Sequence, residues 1–179
     1  MPRPYFEDKQ KKLQEIIMVN HAGEYGAQRI YEGQLAHTKD QKSKALIKEM
    51  LEQELEHLEY FEKQIQAGKG RPTALIPVWT IFGYGLGVLS ARLGLKTAML
   101  VTENVEEVIV DHYQEQINYL EKTDPKNPLL KKIKKFKQDE AGHIHIAIDN
   151  ASNDAPFYGV LSNIVRCICR SAIFISKKI

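Results

Sequence analysis

Glu54-Leu55-Glu56-His57 and Glu140-Ala141-Gly142-His143 each set a glutamate three residues before a histidine. On a helix that spacing projects a carboxylate and an imidazole from one face, a turn apart. It is the spacing with which one helix offers an oxygen and a nitrogen to a single metal ion. With six His and sixteen Glu in 179 residues, about 0.5 such pairs arise by chance. Two are a mild excess, and a Glu-x-x-His on a solvated helix face is the ordinary alternative. What separates the readings is register: whether these pairs, and further Glu residues, fall on the buried stripes of their helices.

Length and composition bound the answer. At 179 residues the chain reads as a single domain, 1–179, able to bury a core without staples. Abundant Leu, Ile, Lys, Glu and Gln with few turn clusters favour an all-α protein. A net charge of +2 gives no polyelectrolyte argument for nucleic acid as a partner. Cys167 and Cys169, two apart on a helix, form neither a disulfide framework nor a zinc site and fit a reducing compartment. Met1-Pro2-Arg3-Pro4-Tyr5 begins no secretory h-region and lacks the Arg/Ser-rich look of a transit peptide, so a leader is either unneeded or removed.

Four long amphipathic segments carry the candidates. The first, from about Glu7 to His37, has the stripe Leu13, Ile17, Asn20, Glu24, Ala27, Tyr31, Leu35. After a break at Asp40–Ser43, a second runs from Lys44 to Ala67 with Ile47, Met50, Glu54, His57, Phe61 and Ile65 inward. Gly68, Gly70 and Pro72 close it. The third, Lys96 to Glu121, places Met99, Thr102, Glu106, Ile109, Tyr113, Ile117 and Leu120 in register. The fourth, Leu129 to Asn150, faces Leu129, Ile133, Phe136, Glu140, His143 and Ala147 inward. Two apolar segments flank them. Thr73–Ala91 is uncharged, but Pro77, Gly83, Gly85 and Gly87 disfavour a straight membrane span, so a buried or interfacial crossover helix is expected. A final apolar helix runs from Pro156 to Ser176, fringed by Arg166, Arg170, Lys177 and Lys178.

Each of the four helices thus sets a Glu on its inward stripe, two with a His three residues on. Ionised carboxylates in an apolar core are costly unless paired or bound to metal, and no inward position listed above is basic. Two divalent ions would neutralise four carboxylates. Oxygen and nitrogen donors without thiolate suit iron or manganese. The whole fits the pattern of a ferritin-like four-helix bundle with an apolar crossover helix and an apolar C-terminal helix. The Glu24–Glu54 and Glu106–Glu140 intervals, 30 and 34 residues, mark two similar helix pairs. Glu24 and His57 are assigned to one metal ion, Glu106 and His143 to the other, with Glu54 and Glu140 bridging.

His21-Ala22-Gly23-Glu24-Tyr25-Gly26-Ala27 and Arg29-Ile30-Tyr31 resemble the first motif of the 5-demethoxyubiquinone hydroxylases of late ubiquinone biosynthesis. Glu54-x-x-His57-Leu58, Arg71-Pro72-Thr73, Glu106-Glu107, His112-Tyr113 and Lys134-Lys135-Phe136 before Glu140-x-x-His143 continue the likeness in order over nearly the whole chain. Ala141, Gly142 and Ile144 stand where charged side chains are common in that family; none is a ligand position. The resemblance implies a ferritin-like monooxygenase with two iron ions held by Glu24, Glu54, His57, Glu106, Glu140 and His143. It implies O₂ as co-substrate, NADH as reductant and hydroxylation of a demethoxyubiquinone ring. No Gly-rich dinucleotide fingerprint marks a dedicated NADH domain. A polyprenyl quinone substrate implies a peripheral membrane protein, on the cytoplasmic face of a bacterial inner membrane or the matrix face of the mitochondrial one. A lipid-binding accessory protein and a homo-oligomer are compatible with the resemblance.

The two apolar segments are expected to form a lipid-facing groove. Lys131, Lys132, Lys134, Lys135 and Lys137 are read either as a headgroup contact or as a solvated helix face. For His112 and Tyr113, a place behind the ligands or in an electron relay stands beside an ordinary buried pair. Asp111 and Glu107 are read either as orienting the histidines or as plain polar surface, and Glu103 competes with Glu106. His21 is read as structural, His37 and His145 as exposed, and Trp79 as an interfacial anchor. Iron storage and a di-iron hydroxylase of another substrate, such as modified tRNA, would use the same ligands. The first leaves the apolar helices unexplained, and the second requires a basic groove.

Overall fold

A computed structural model describes residues 4–179, with side chains described from Asp8 onward. Met1–Arg3, part of the stretch read for a leader, lie outside the described residues. Six helices follow in order: α1 (Pro4–His37), α2 (Gln41–Gln66), α3 (Ile76–Arg92), α4 (Leu95–Thr123), α5 (Pro128–Asp149) and α6 (Tyr158–Ser176). A 3₁₀ turn, Ser152–Asp154, precedes α6, and no strand occurs among the described residues.

The helix ends follow local chemistry. The Asp40 carboxylate accepts from the Ser43 amide at 2.8 Å and so starts α2 at Gln41, inside the stretch the periodicity reads as a break. Gly68, at φ 73°, ends that helix with a conformation that glycine adopts without strain. Asn127 caps α5 with Pro128 in its first turn. The inward stripes of α2 and α5 are buried as their spacing predicts, with Ile65 the half-buried exception.

α1, α2, α4 and α5 form a ferritin-like bundle, and α3 is carried in the long crossover between the two helix pairs. Asn20 bonds Gln116 and Gln34 lies against Thr102, so α1 and α4 run antiparallel. The two interior layers are apolar. Ile17, Phe61, Leu120, Ile133 and Phe136 pack on one side of the buried Glu and His residues, and Ala27, Ile47, Met50, Met99 and Ala147 on the other.

α4 departs from the single stripe expected of it: every residue from Thr97 to Glu106 is buried. The reason is that α3 and α6 cover its second face, α6 packing on both α4 and α1. α3 packs most heavily on α1, and there its glycines are surface, not punctuation. A Cβ at Gly87 would collide with the Ile30 carbonyl oxygen, and one at Gly83 would stand 2.9 Å from the Gly26 carbonyl oxygen. Gly33 on α1 meets the α3 backbone in the same way, while Gly85 faces open space. Small residues four apart thus let two backbones touch.

The outer faces of α3 and α6 remain apolar, with Ile81 at 78% and Phe157 at 80% exposure, and Val160, Leu89 and Phe174 more than half exposed. α6 is the one helix among the described residues long and apolar enough to cross a membrane. The lysine run is largely exposed on α5. α5 packs on α4 and α2, without an extended contact to α3 or α6. Lys134 pairs with Glu121 at 2.5 Å and Lys135 with Asp139 at 2.9 Å. It is a solvated helix face.

Gly87→Ala is expected to lower stability by about 1–3 kcal/mol, because the clash is with backbone and no rotamer relieves it. Gly85→Ala should be neutral or stabilising by up to about 1 kcal/mol, as alanine is the better helix former. Chemical unfolding of the two variants measures the contrast directly.

Candidate metal centre

Midway along the bundle, Glu24 of α1, Glu54 and His57 of α2, Glu106 of α4, and Glu140 and His143 of α5 meet in the interior, none more than 1% exposed. Their candidate ligand atoms form two overlapping groups: Glu24, Glu54, His57 and Glu140, and Glu54, Glu106, Glu140 and His143. Within each group those atoms lie within 4.8 Å of one another. Glu54 and Glu140 are common to both. All six residues selected by register are therefore brought together, with Glu54 and Glu140 between the two outer pairs.

None of the four carboxylates pairs with a Lys or Arg among the described residues; their ionic neighbours are the two histidines. His57 Nδ1 lies 2.9 Å from Glu140 Oε1 and 3.5 Å from Glu24 Oε2. His143 Nδ1 lies 3.0 Å from Glu140 Oε2 and 3.2 Å from Glu54 Oε1. Eight buried oxygen and nitrogen atoms of the cluster lack a properly directed hydrogen bond: one each on Glu24 and Glu106, both on Glu54 and Glu140, and both Nδ1 atoms. Buried polar atoms are seldom left so, and a convergent set of oxygens and nitrogens without sulfur is what two hard or borderline divalent cations would satisfy.

The outward atoms, by contrast, are secured. His57 Nε2 meets Asp139 Oδ2 at 3.1 Å, and His143 Nε2 meets Gln53 Oε1 at 3.1 Å. Acceptors there hold a ring hydrogen on Nε2 and turn Nδ1 inward, free to bind a proton or a metal ion. Tyr31 of α1 donates to Glu106 on α4 at 2.6 Å, and Tyr113 of α4 donates to Glu24 on α1. His57 also lies against Phe136, ring centroids 4.0 Å apart.

The proton inventory reflects the crowding. Burial, then the charges of Glu140, Glu106 and Glu24, push the Glu54 carboxyl well above its usual range. Burial and Glu140 do the same to Glu106, against the opposing hydrogen bond from Tyr31. Burial alone would lower His57, but its bonds to Glu140 and Glu24 win and raise it to about 11. Glu140, which burial alone would raise, is drawn down to about 2 by His143 and His57. Burial and the neighbouring glutamates keep Tyr31 and Tyr113 as phenols. Bare of metal, protons take up part of the charge: Glu54 and Glu106 hold theirs above the usual carboxyl range, beside a His57–Glu140 ion pair.

An apolar cavity reaches this cluster from one side. It lies between α1, α3, α4 and α6, walled by Ile30, Phe82, Leu86, Val105, Ile109 and Ile173, with Glu24 and Tyr113 at its inner end. Its volume is ≈ 110 Å³, and its lining is almost wholly apolar. Trp79 lines it and also donates from Nε1 to Ser176 Oγ at 3.2 Å, joining α3 to α6. The residue read as an interfacial anchor is thus part of the cavity wall.

Other readings divide. Tyr113 stands directly behind a cluster carboxylate, whereas His112 lines the cavity and approaches Glu115, at 3.7 Å. Burial, helped by Lys177, lowers His112 to about 4. Glu107 does not orient a histidine: it pairs with Arg166 at 2.6 Å, and Asp111 is exposed. Glu103 accepts from Tyr158 at 2.6 Å, outside the cluster. His21 is buried and His145 exposed as read, but His37 is half-buried, its ring against the Gly33 carbonyl. Sequence reading passed over Gln53, Asp139 and the partner role of Tyr31. A signal was present: Gln53 and Asp139 each precede a Glu-x-x-His by one residue, and Tyr31 and Tyr113 each follow an outer glutamate by seven.

Comparison with known proteins agrees with this architecture. The family described as "Ubiquinone biosynthesis protein COQ7" matches residues 11–176. The chain is 44% identical over 172 residues to "NADPH-dependent 3-demethoxyubiquinone 3-hydroxylase, mitochondrial" of Dictyostelium discoideum, spanning 96% of this chain and 79% of the relative. It is 41% identical over 169 residues to the Homo sapiens protein of the same name, spanning 93% and 78%. It is 36% identical over 168 residues to the "3-demethoxyubiquinol 3-hydroxylase" of Rhodospirillum rubrum, again spanning 93% and 78%. With a family match over almost its whole length and relatives this similar, the chain belongs to the COQ7 family of ubiquinone biosynthesis proteins.

Proposed function

We propose that this protein is a di-iron monooxygenase that hydroxylates the ring of a demethoxyubiquinone with O₂. The observation that carries the reading is a buried cluster of four glutamates and two histidines at the closed end of an apolar cavity, in a chain whose relatives are named as demethoxyubiquinone hydroxylases. Glu24 and His57 would hold one iron, Glu106 and His143 the other, with Glu54 and Glu140 shared. Those residues fit the metal because their Nδ1 and carboxylate atoms converge without other partners. Iron bound there would supply oxygen activation at a site that the protein keeps dry and oriented.

The chain's own residues account for binding and direction. The apolar walls accept a substituted quinone ring and exclude water, and the exposed faces of α3 and α6 give a polyprenyl tail a continuous path from lipid. Tyr113 holds Glu24 at the cavity's inner end and fixes where the ring meets the metal-binding atoms. The reaction balances as a ring C–H, O₂, NADPH and a proton giving a ring C–OH, water and NADP⁺. NADPH is taken from the names of the relatives, in place of the NADH expected from sequence. The same apolar faces support a peripheral position on the membrane that carries the quinone. The word mitochondrial in the names of two of these relatives supports a mitochondrial location, and the Rhodospirillum rubrum relative keeps the bacterial inner membrane as the alternative.

Iron-loaded protein incubated with a demethoxyubiquinone, NADPH and O₂ is expected to yield a quinone heavier by one oxygen atom, read by mass spectrometry. Glu54→Ala and His143→Ala should lose that product by at least about 100-fold, since each strips a metal ligand. Oxidation of iron with unchanged quinone would instead favour storage.

The proton inventory gives a second test. Glu54 and Glu106 have folded pKa values raised above 4.5, so the metal-free fold binds excess protons and loses stability as pH rises past that value. The His57 contribution is complete below 6.5 and is lost towards 11. Glu140 acts oppositely, losing its contribution only as pH falls below 4.5 towards 2. The melting temperature of the metal-free protein should therefore fall between pH 6.5 and 9. Manganese(II) or anaerobic iron(II) should restore it, with a larger rise at the higher pH, because binding displaces protons.

A further inference from the structure

The two halves of the cluster supply the same ligand residue types in the same helical register, but the groups that hold the histidines from behind differ. His57 is backed by the carboxylate of Asp139, and His143 by the amide oxygen of Gln53, both at 3.1 Å. The halves also differ in access. Glu24, at the His57 end, lines the apolar cavity, whereas Glu106, His143 and Tyr31 do not.

On the metal-binding reading above, we infer that the two metal positions are unequal: the Glu24–His57 position, backed by Asp139, is the tighter and meets the cavity, while the Glu106–His143 position, backed by Gln53, is the weaker. A full negative charge accepting the Nε2 hydrogen pushes electron density to Nδ1 and makes that imidazole the stronger donor. A neutral amide fixes the ring's orientation with much less polarisation. Lys135 bonds Asp139 at 2.9 Å and opposes this effect. That opposition is damped, because the Lys135 side chain is 55% exposed while that of Asp139 is 24% exposed and that of His57 1%. Gln53 has no comparable cation; its oxygen serves His143 alone among the described bonds.

The consequence is functional. The cation least easily lost is the one nearest the incoming ring, and the labile one lies behind it. Asp139 and Gln53 are then positioning residues with different strengths, acting through the histidines.

Anaerobic titration of the metal-free protein with iron(II), followed calorimetrically at one pH, tests this, with cobalt(II) absorbance as a second probe. The wild-type chain is expected to show two separable affinities. Asp139→Asn should weaken the tighter by about 10–100-fold and leave the other nearly unchanged, while Gln53→Glu should strengthen the weaker by a similar factor. A gain of affinity in Gln53→Glu is a result that a merely structural disturbance would not produce. Circular dichroism of both metal-free variants checks that the bundle is intact. Two equal wild-type affinities, an unchanged Asp139→Asn, or a weakened Gln53→Glu would each overturn the inequality while leaving two bound metal ions. Absence of any iron or cobalt binding would overturn the metal reading itself.

Discussion

Four carboxyl groups and two imidazoles sit where the bundle would otherwise place aliphatic side chains, and the rest of the molecule is arranged around that burden. Desolvating a single unpaired carboxylate costs several kcal/mol, and no arginine or lysine among the described residues enters to offset it. Protons or cations must do so. The outer atoms of Glu24, Glu106, His57 and His143 are therefore committed to tyrosines, Asp139 and Gln53, and their inner atoms are left convergent with both oxygens of Glu54 and Glu140. A core of this kind is stable only if the shell behind it is rigid. The tight aromatic packing of His57, Phe136, Phe61 and Tyr60 supplies that rigidity on one side.

The arrangement repeats itself. Asn20, Glu24, Tyr31 and Gln34 of α1 stand opposite Gln116, Tyr113, Glu106 and Thr102 of α4, so each helix uses matching offsets from its glutamate to bond the other. Between α2 and α5 the residue before each glutamate reaches the histidine of the facing helix. One helix pair thus completes the other, and neither can satisfy its polar groups alone. The same bonds lock the antiparallel register, because a slip of one turn would strand all of them in the interior at once.

Much of this was legible in the sequence because it lies on helical stripes. Glu24, Glu54, His57, Glu106, Glu140 and His143 each occupy a position the 3.6-residue period sends inward, and the structure gathers all six. What periodicity does not carry is the facing partner. Asp139 and Gln53 sit beside the stripe and read as surface, and only the helix opposite makes them part of the site. For the same reason the sequence leaves Glu107 between a histidine's partner and polar surface, where α6 presents Arg166 to it, and predicts one buried face for α4, where two layers cover it. The lysines of α5 could not be placed relative to the apolar helices until the crossover put α3 and α6 against α1 and α4.

The glycines of α3 show how the fold and the site depend on one another. Read along the chain, Gly83 and Gly87 weaken a helix, at about 1 kcal/mol each against alanine. Read across the interface, they bring the α3 backbone onto Gly26, Ile30 and Gly33, within the turns of α1 that follow Glu24. A bulkier stripe would lift α3 away and widen the cavity that α3 and α6 enclose over Glu24 and Tyr113. The helix penalty is local and small, whereas the close contact sets the width and dryness of this approach to the cluster. The sequence feature that argues against a membrane-spanning helix is therefore what lets an apolar helix lie flat on the bundle, its inner edge walling the cavity and its outer edge exposed.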